Sequence, residues 1–249
     1  MQVRCTQCGA TIEVAPGARL QQCEYCSTAL VIDGSASLFH QIMVPTITGN
    51  KVSAHLRRFL AGTQTVADLD KKAKIGEPTL EYFPFWAFTV VSDREEQVVL
   101  EPALPSALVG LQAINLPAGE TQPASQHLSG SAPLLEPEIP RDTALEWLRN
   151  KRGDVEIRTT VLYHLPLFKI GYSYKGKTYS SAVDGVSGKV FPADFPVKAE
   201  TPYVLVAILA IIIFGIEGLL FSNLFVKLFF YLISTPPILV IAWLTSKKV

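Results

Sequence analysis

Four cysteines, Cys5, Cys8, Cys23 and Cys26, form two Cys-x-x-Cys pairs near the start of a 249-residue chain. Sulfur is a soft donor, and two such pairs offer four thiolates to one tetrahedral ion, so the spacing predicts a single structural Zn²⁺. Iron in a rubredoxin-like site is the competing metal. A redox dithiol needs only one pair, whereas here two pairs are separated by 14 residues.

The elements that must hold these sulfurs are short. Gly9 follows the second thiolate and allows the tight turn that aims backbone amides at sulfur. Thr11 to Val14 alternates as a strand, Pro16-Gly17 signals a turn, Arg19 to Gln22 reads as the return strand of a hairpin, and Ala29 to Ile32 as a third strand. Residues 1–34 therefore read as a zinc ribbon with two knuckles. So small a segment buries too little apolar surface to fold unaided, and metal binding is expected to supply most of its folding free energy. Arg4 and Arg19 against Glu13, Glu24 and Asp33 leave the ribbon at −1, and a zinc ion held by four thiolates makes it more negative. That charge repels phosphates and favours a structural ribbon packed on a partner or on the rest of the chain.

Residues 35–198 read as an α+β domain containing a repeat. Leu80 to Phe88 aligns with Leu162 to Ile170 at an offset of 82, sharing a leucine, a proline and the apolar positions that follow. Each copy is expected to place its proline, Pro84 or Pro166, where a strand begins. A helix is predicted before each: Lys51 to Ala61, capped by Asn50 with Val52, Leu56, Phe59 and Leu60 inward, and Pro140/Asp142 to Lys151, with Ala144, Leu145, Trp147 and Leu148 inward. After the second copy, Leu167 to Tyr174, Thr178 to Val183 and Lys189 to Phe191 form a three-stranded meander. After the first, Phe85 to Ser92 and Gln97 to Glu101 form a hairpin that Leu108 to Leu116 is expected to continue. The repeats span about 42–116 and 140–195, with a surface loop at 117–140 rich in Pro, Ser, Gly and Ala between them.

This domain has little that could catalyse. His40, His55, His127 and His164 stand apart in sequence, without a His-Glu-x-x-His, a Gly-x-Ser-x-Gly or a phosphate-cradling loop. His164 occupies the repeat position of Tyr82, which points to packing. Tyr82, Phe83, Phe85, Trp86 and Phe88 lack the interleaved basic residues of a base-stacking platform and read as core. The chain is not expected to be an enzyme.

Residues 201–249 read as a transmembrane hairpin, with spans at 203–221 and 224–244 joined at Ser222-Asn223. Lys198, Lys247 and Lys248 flank the hairpin on one side, where Tyr203 and Trp243 are placed as interfacial anchors, so both termini are expected in the cytoplasm. Glu217 and Lys227 are the one charge in each span. They lie at similar distances from the turn, which predicts that they pair. Pro236-Pro237 is expected to kink the second span, with Ser234 and Thr235 satisfying freed carbonyls. Gly215 and Gly218 leave a small-residue face on the first.

The formal net charge is zero, so no general electrostatic pull toward nucleic acid or anionic lipid exists. The start of the sequence carries no cleavable-signal pattern, and the thiols imply a reducing compartment. The order of parts resembles a family of bacterial and archaeal zinc-ribbon membrane proteins. The matching residues are Cys5, Cys8, Gly9, Cys23 and Cys26, then Val44-Pro45, then Tyr82 to Trp86. Some members carry a replication-factor-Y-like or primosomal-protein label; the helicase it implies has no Gly-x-x-x-x-Gly-Lys-[Ser/Thr] here. Other members belong to membrane-stress systems alongside phage-shock or flotillin-like (SPFH) proteins. The resemblance implies a scaffold or adaptor at the inner membrane that recruits or assembles with another membrane-associated protein, as a homo- or hetero-oligomer. The alternative is a membrane-tethered nucleic-acid-binding regulator. No small-molecule substrate is expected.

Overall fold

The computed structural model describes residues 1–34, 36–92, 95–124, 132–197 and 201–248, with side chains at 92, 201–203 and 245–248 left out. The chain forms two compact units, one from Met1–Phe59 and Lys72–Phe195, the other from Leu60–Lys71 and Pro196–Val249.

The first unit begins with strands β1 (Gln2–Arg4), β2 (Thr11–Glu13), β3 (Leu20–Gln22) and β4 (Ala29–Asp33). β1 pairs with β2 and β3 with β4, both antiparallel, so each Cys-x-x-Cys forms the turn of its own hairpin. This corrects the expected pairing of Thr11–Val14 with Arg19–Gln22 across Pro16-Gly17. The knuckle turns already bring their flanking strands side by side, and Ile32 N–H closes the sheet side instead by bonding Arg19 O at 2.7 Å. β4 then pairs with β5 (Ala36–Met43), joining the second hairpin to a ten-stranded mixed sheet.

Two long strands dominate that sheet, β7 (Thr79–Ser92) and β10 (Glu156–Tyr174), which pair antiparallel from Tyr82↔Pro166 to Val91↔Glu156. Phe83 lies opposite Leu165, 82 positions further along, and β8 (Glu95–Pro102) and β11 (Lys177–Asp184) extend the pair as hairpins. Ala103 N–H donates to Pro84 O at 3.0 Å, and Gly185 N–H, again 82 positions on, donates to Pro166 O at 2.7 Å. β12 (Val190–Pro192) completes the meander, and β5 runs parallel to β10. The prolines sit inside these strands rather than at their starts. At Pro166, β10 exchanges its partner for β11, and β7 gains β8 just after Pro84, so the missing N–H removes no ladder bond.

β7 is buried on both faces, as a strand between two packed layers must be. Phe83, Phe85 and Ala87 join Leu165, Leu167 and Phe191 on one face; Trp86, Phe88 and Val90 join Leu162 on the other. The second face is covered by α3 (Arg141–Arg152) through Ala144 and Leu148, with Trp86 Nε1 donating to Ile139 O at 2.8 Å. The expected helix of the first copy is α1 (Asn50–Leu60), with Val52, Leu56 and Leu60 fully buried.

Three further expectations are corrected in this unit. Leu108–Leu116 does not continue the hairpin: it folds into a 3₁₀ turn at Leu111–Ala113 that places Leu111 and Ile114 on the first core. Trp147, expected inward, is 38 % exposed, because Ala144 and Leu148, with Leu145 beside them, make the contact with the sheet. Part of the expected 117–140 loop is β9 (Thr121–Pro123), paired with β5, while 125–131, including His127, lies outside the described residues. A two-residue strand β6 (Lys74–Ile75) pairs with the end of β10.

In the second unit, Leu60–Lys71 carries the start of the one-turn helix α2 (Leu69–Lys72). Thr65 bridges Val197, and Val66 N–H bonds Pro196 O. Two apolar helices follow, α4 (Thr201–Leu220) and α5 (Leu224–Lys248). Within α5, Leu224–Leu244 is long and apolar enough to cross a membrane, with mean hydropathy 2.0; Val204–Leu220 is a shorter apolar helix. α5 continues through Pro236 and Pro237.

Candidate metal centre

The two hairpins bring Cys5, Cys8, Cys23 and Cys26 together, all four sulfurs lying within 4.8 Å of one another. Cys5 faces Cys26 and Cys8 faces Cys23, each pair at 3.8 Å, and none is in a disulfide. A metal–sulfur bond of about 2.3 Å in tetrahedral geometry requires sulfurs about 3.8 Å apart, so the donor set fits one metal ion such as zinc.

The knuckles are built alike. Gly9 N–H donates to Cys5 O and Ser27 N–H to Cys23 O, both at 2.9 Å, and both residues are left-handed, Gly9 at φ 74° and Ser27 at φ 59°. Gly9 meets that demand without strain; Ser27 takes it up with a side chain. Cys5 N–H and Cys23 N–H then bond Ala10 O and Thr28 O, which fixes where each hairpin resumes.

The electrostatics also call for a cation. The Ala10 amide lowers the pKa of Cys8, yet desolvation and the three neighbouring sulfurs outweigh it and push the thiol up to about 12. Hydrogen bonding to the Thr28 hydroxyl, at 3.3 Å, and to its backbone draws Cys26 down to about 6. Four sulfurs this close ionise together only around a positive charge.

The centre is fastened to the sheet. Ser37 of β5 receives the Thr6 N–H on its hydroxyl oxygen at 3.1 Å and donates that hydroxyl to Arg4 O at 2.7 Å. Asp33 pairs with Arg141 at the start of α3 at 3.2 Å, and Arg19 donates to Pro137 O. Cys5 and Cys23 are buried in a small apolar core with Val3, Ile12, Val14, Leu30 and Ile32, while Cys8 is exposed.

The other singled-out residues are placed as follows. His40 and His164 do not stand apart: parallel pairing of β5 and β10 brings His40 Nε2 within 2.8 Å of His164 Nδ1, and His164 Nε2 is 2.8 Å from Leu135 O. Burial lowers both pKa values, to about 3 for His40 and about 4 for His164. The pair is 124 residues apart, and its only trace in the sequence is that both residues fall in apolar strands. His55 packs against Gly188. Asp184, buried, accepts from Val186 N–H at 3.0 Å and Ser187 N–H at 3.3 Å, so it holds a turn. Tyr82, Phe83, Phe85, Trp86 and Phe88 are all buried.

The expected Glu217–Lys227 pair is not formed. Glu217 Oε2 instead accepts from Ser234 Oγ at 3.2 Å, and no ion pair joins it to Lys227 among the described residues. The hairpin is staggered: Phe221 stacks on Phe230, and Tyr231 donates to Phe214 O, which puts Ser234 rather than Lys227 across from Glu217. Ser234 and Thr235 bond the carbonyls of Phe230 and Tyr231, not those of Leu232 and Ile233 that Pro236 and Pro237 free. Trp243 lies at the end of the apolar stretch of α5, 56 % exposed; the Tyr203 side chain lies outside the described residues.

The structure thus defines a four-cysteine centre on a mixed α/β sheet, in a chain that carries an apolar helix of membrane-crossing length. No family model, curated protein or solved structure matches this chain.

Proposed function

We propose that the chain is a membrane-anchored cytoplasmic adaptor whose zinc ribbon and sheet domain recruit or assemble with another membrane-associated protein. The observation that carries this reading is the attachment of the four-cysteine centre to β5 through Ser37, in a chain that also bears α5. A metal site fastened in this way stabilises a rigid display surface.

The metal is zinc, which four thiolates at these separations suit. α4 and α5 both cross the membrane as an antiparallel hairpin: α4 has 20 residues, about 30 Å at 1.5 Å per residue. Ring contacts of Phe214 with Tyr231 and of Phe221 with Phe230 support the pairing. Both ends of the hairpin face the cytoplasm, on the side of Lys198, Lys247 and Lys248. The middle domain is an internal duplication, supported by the matched bonds at Pro84 and Pro166 and by the Phe83↔Leu165 register.

Extraction of the full chain in mild detergent at native expression, with cross-linking before lysis, tests the assembly. A stable stoichiometric complex containing a second membrane-associated protein, or several copies of this chain, is the expected result. Recovery of monomer alone from cross-linked cells overturns the adaptor reading.

A further inference from the structure

A cavity of about 710 Å³ opens between α3 and the chain that follows β8. Its polar lining is Glu101, Lys151, Asn150, Gln112 and Ser106, and its apolar wall includes Trp147. Glu101 is 2 % exposed, and both its carboxylate oxygens accept from Lys151 Nζ, at 2.9 and 2.7 Å. The Lys151 side chain is 47 % exposed, so a buried carboxylate is held by a half-exposed cation, and the desolvation of Glu101 offsets much of the attraction.

The equivalent positions on β11 and α1 show that the fold does not require this pair. Trp86↔Glu101 in the first half has the same register as Phe168↔Val183 in the second, so Val183 stands where Glu101 does. The buried positions Val52 and Leu56 of α1 match Ala144 and Leu148 of α3, which places Phe59 at the position of Lys151 and His55 at that of Trp147. There the space is filled: Phe59 meets Phe195 edge-on at 5.6 Å, His55 packs on Gly188, and Val183 is fully buried. The equivalent positions on β11 and α1 thus have an apolar, closed solution, and the positions on β8 and α3 depart from it with two charges and an exposed indole.

We propose that this cavity is a binding site for an uncharged, planar aromatic molecule carrying a carboxamide-like edge. Lys151 has its counter-charge in contact, so the lining attracts neither anions nor cations. The amides of Asn150 and Gln112 supply neutral donors and acceptors. Trp147, 38 % exposed, offers a ring face for stacking. The volume falls within the range of about 300–1,000 Å³ common to small-molecule sites. This site is independent of the adaptor reading, and either can fail alone.

The test uses the full chain in detergent, labelled with 5-fluorotryptophan, so that its three tryptophans report separately by ¹⁹F NMR. The probes are benzamide, benzoate and benzylamine. Benzamide is expected to shift the Trp147 resonance saturably, with a Kd of about 1 mM for so small a ligand. The two charged probes are expected to bind at least about tenfold more weakly, since each carries a charge into a lining already neutralised. The double substitution Glu101→Val with Lys151→Phe, copying the equivalent positions on β11 and α1, removes the shift while the Trp243 signal stays in place. Asn150→Leu, at an exposed position, weakens binding in a chain whose core is untouched. Absence of a saturable shift, equal binding of benzoate or benzylamine, or unchanged binding by Asn150→Leu overturns the proposal.

Discussion

Thr6, between the first two cysteines, donates its N–H to the hydroxyl oxygen of Ser37 at 3.1 Å, and its own hydroxyl bonds the Ser37 carbonyl. A residue inside the metal knuckle is thereby bonded to β5, the strand that runs parallel to β10 at the centre of the sheet. Ser37→Ala leaves the Arg4 carbonyl without its donor and the Thr6 N–H without its acceptor. Unsatisfied groups of this kind cost about 1–3 kcal/mol. The variant is expected to lose that much stability in urea and to release its bound metal faster to a chromogenic chelator. An unchanged release rate removes the coupling between the centre and the sheet.

Replacing a ligand tests the centre itself. Cys23→Ser and Cys8→Ser are both expected to take bound metal from one ion per chain to a small fraction, measured by elemental analysis after dialysis. Cys23 is buried among Val3, Ile12 and Leu30, so its substitution also places a hydroxyl in the ribbon core and destabilises more than Cys8→Ser. Because β4 pairs with β5, chelation is expected to raise hydrogen exchange at Leu38 and Phe39 as well as in the ribbon. Exchange confined to 1–28 shows instead that the ribbon opens alone.

How much of this was readable in the sequence follows the distance over which each signal acts. The four ligands announce themselves by local spacing, and α3 by Pro140, Asp142 and Gly153 at its ends. The meander is marked by alternation and by Lys175-Gly176 at its turn. Long-range pairings leave no such local mark. The parallel contact of β5 with β10 makes neighbours of His40 and His164, and nothing around either residue indicates the other. The same holds for Thr65, which bridges Val197 from far along the chain. Glu217 bonds Ser234 rather than Lys227 because distance from the turn fixes depth but not the stagger of two helices.

Acid is expected to weaken the first unit through its histidine pair. Both folded-state pKa values are depressed by burial, to about 3 for His40 and about 4 for His164. The unfolded chain therefore binds more protons, and stability rises with pH. The contribution is complete above the unfolded value of about 6.5 and is lost progressively as pH falls toward 4. Each histidine adds about 1.4 kcal/mol per pH unit to the slope in that window. Urea unfolding between pH 7 and pH 5 should show a shallower slope for the double substitution His40→Gln with His164→Gln than for the natural chain. Equal slopes show that the pair titrates normally in the fold.

Gly188 is constrained twice. Its φ is 73°, and a Cβ there would lie 2.2 Å from the His55 ring. Gly188→Ala is expected to destabilise by about 1–3 kcal/mol from strain and overlap together. Adding His55→Ala removes the overlap and should restore part of that loss, leaving the conformational share. If His55→Ala restores nothing in thermal unfolding, the backbone alone sets the requirement.

The stagger of α4 and α5 gives opposite forecasts for the two candidate partners of Glu217. Ser234 lies across from it at 3.2 Å, with Tyr231 and Phe214 in contact one turn away, whereas Lys227 sits in the first turn of α5. Interhelical hydrogen bonds in apolar helix pairs contribute about 0.6 kcal/mol on average and up to about 1.7. A double-mutant cycle on Glu217→Ala and Ser234→Ala, read by unfolding in mixed micelles, is expected to show coupling of that size. The cycle on Glu217→Ala and Lys227→Ala should show none, and exchanging Glu217 with Lys227 should fail to recover stability. Coupling to Lys227 but not to Ser234 would place the helices in an unstaggered register, with the two charges facing each other at equal depth.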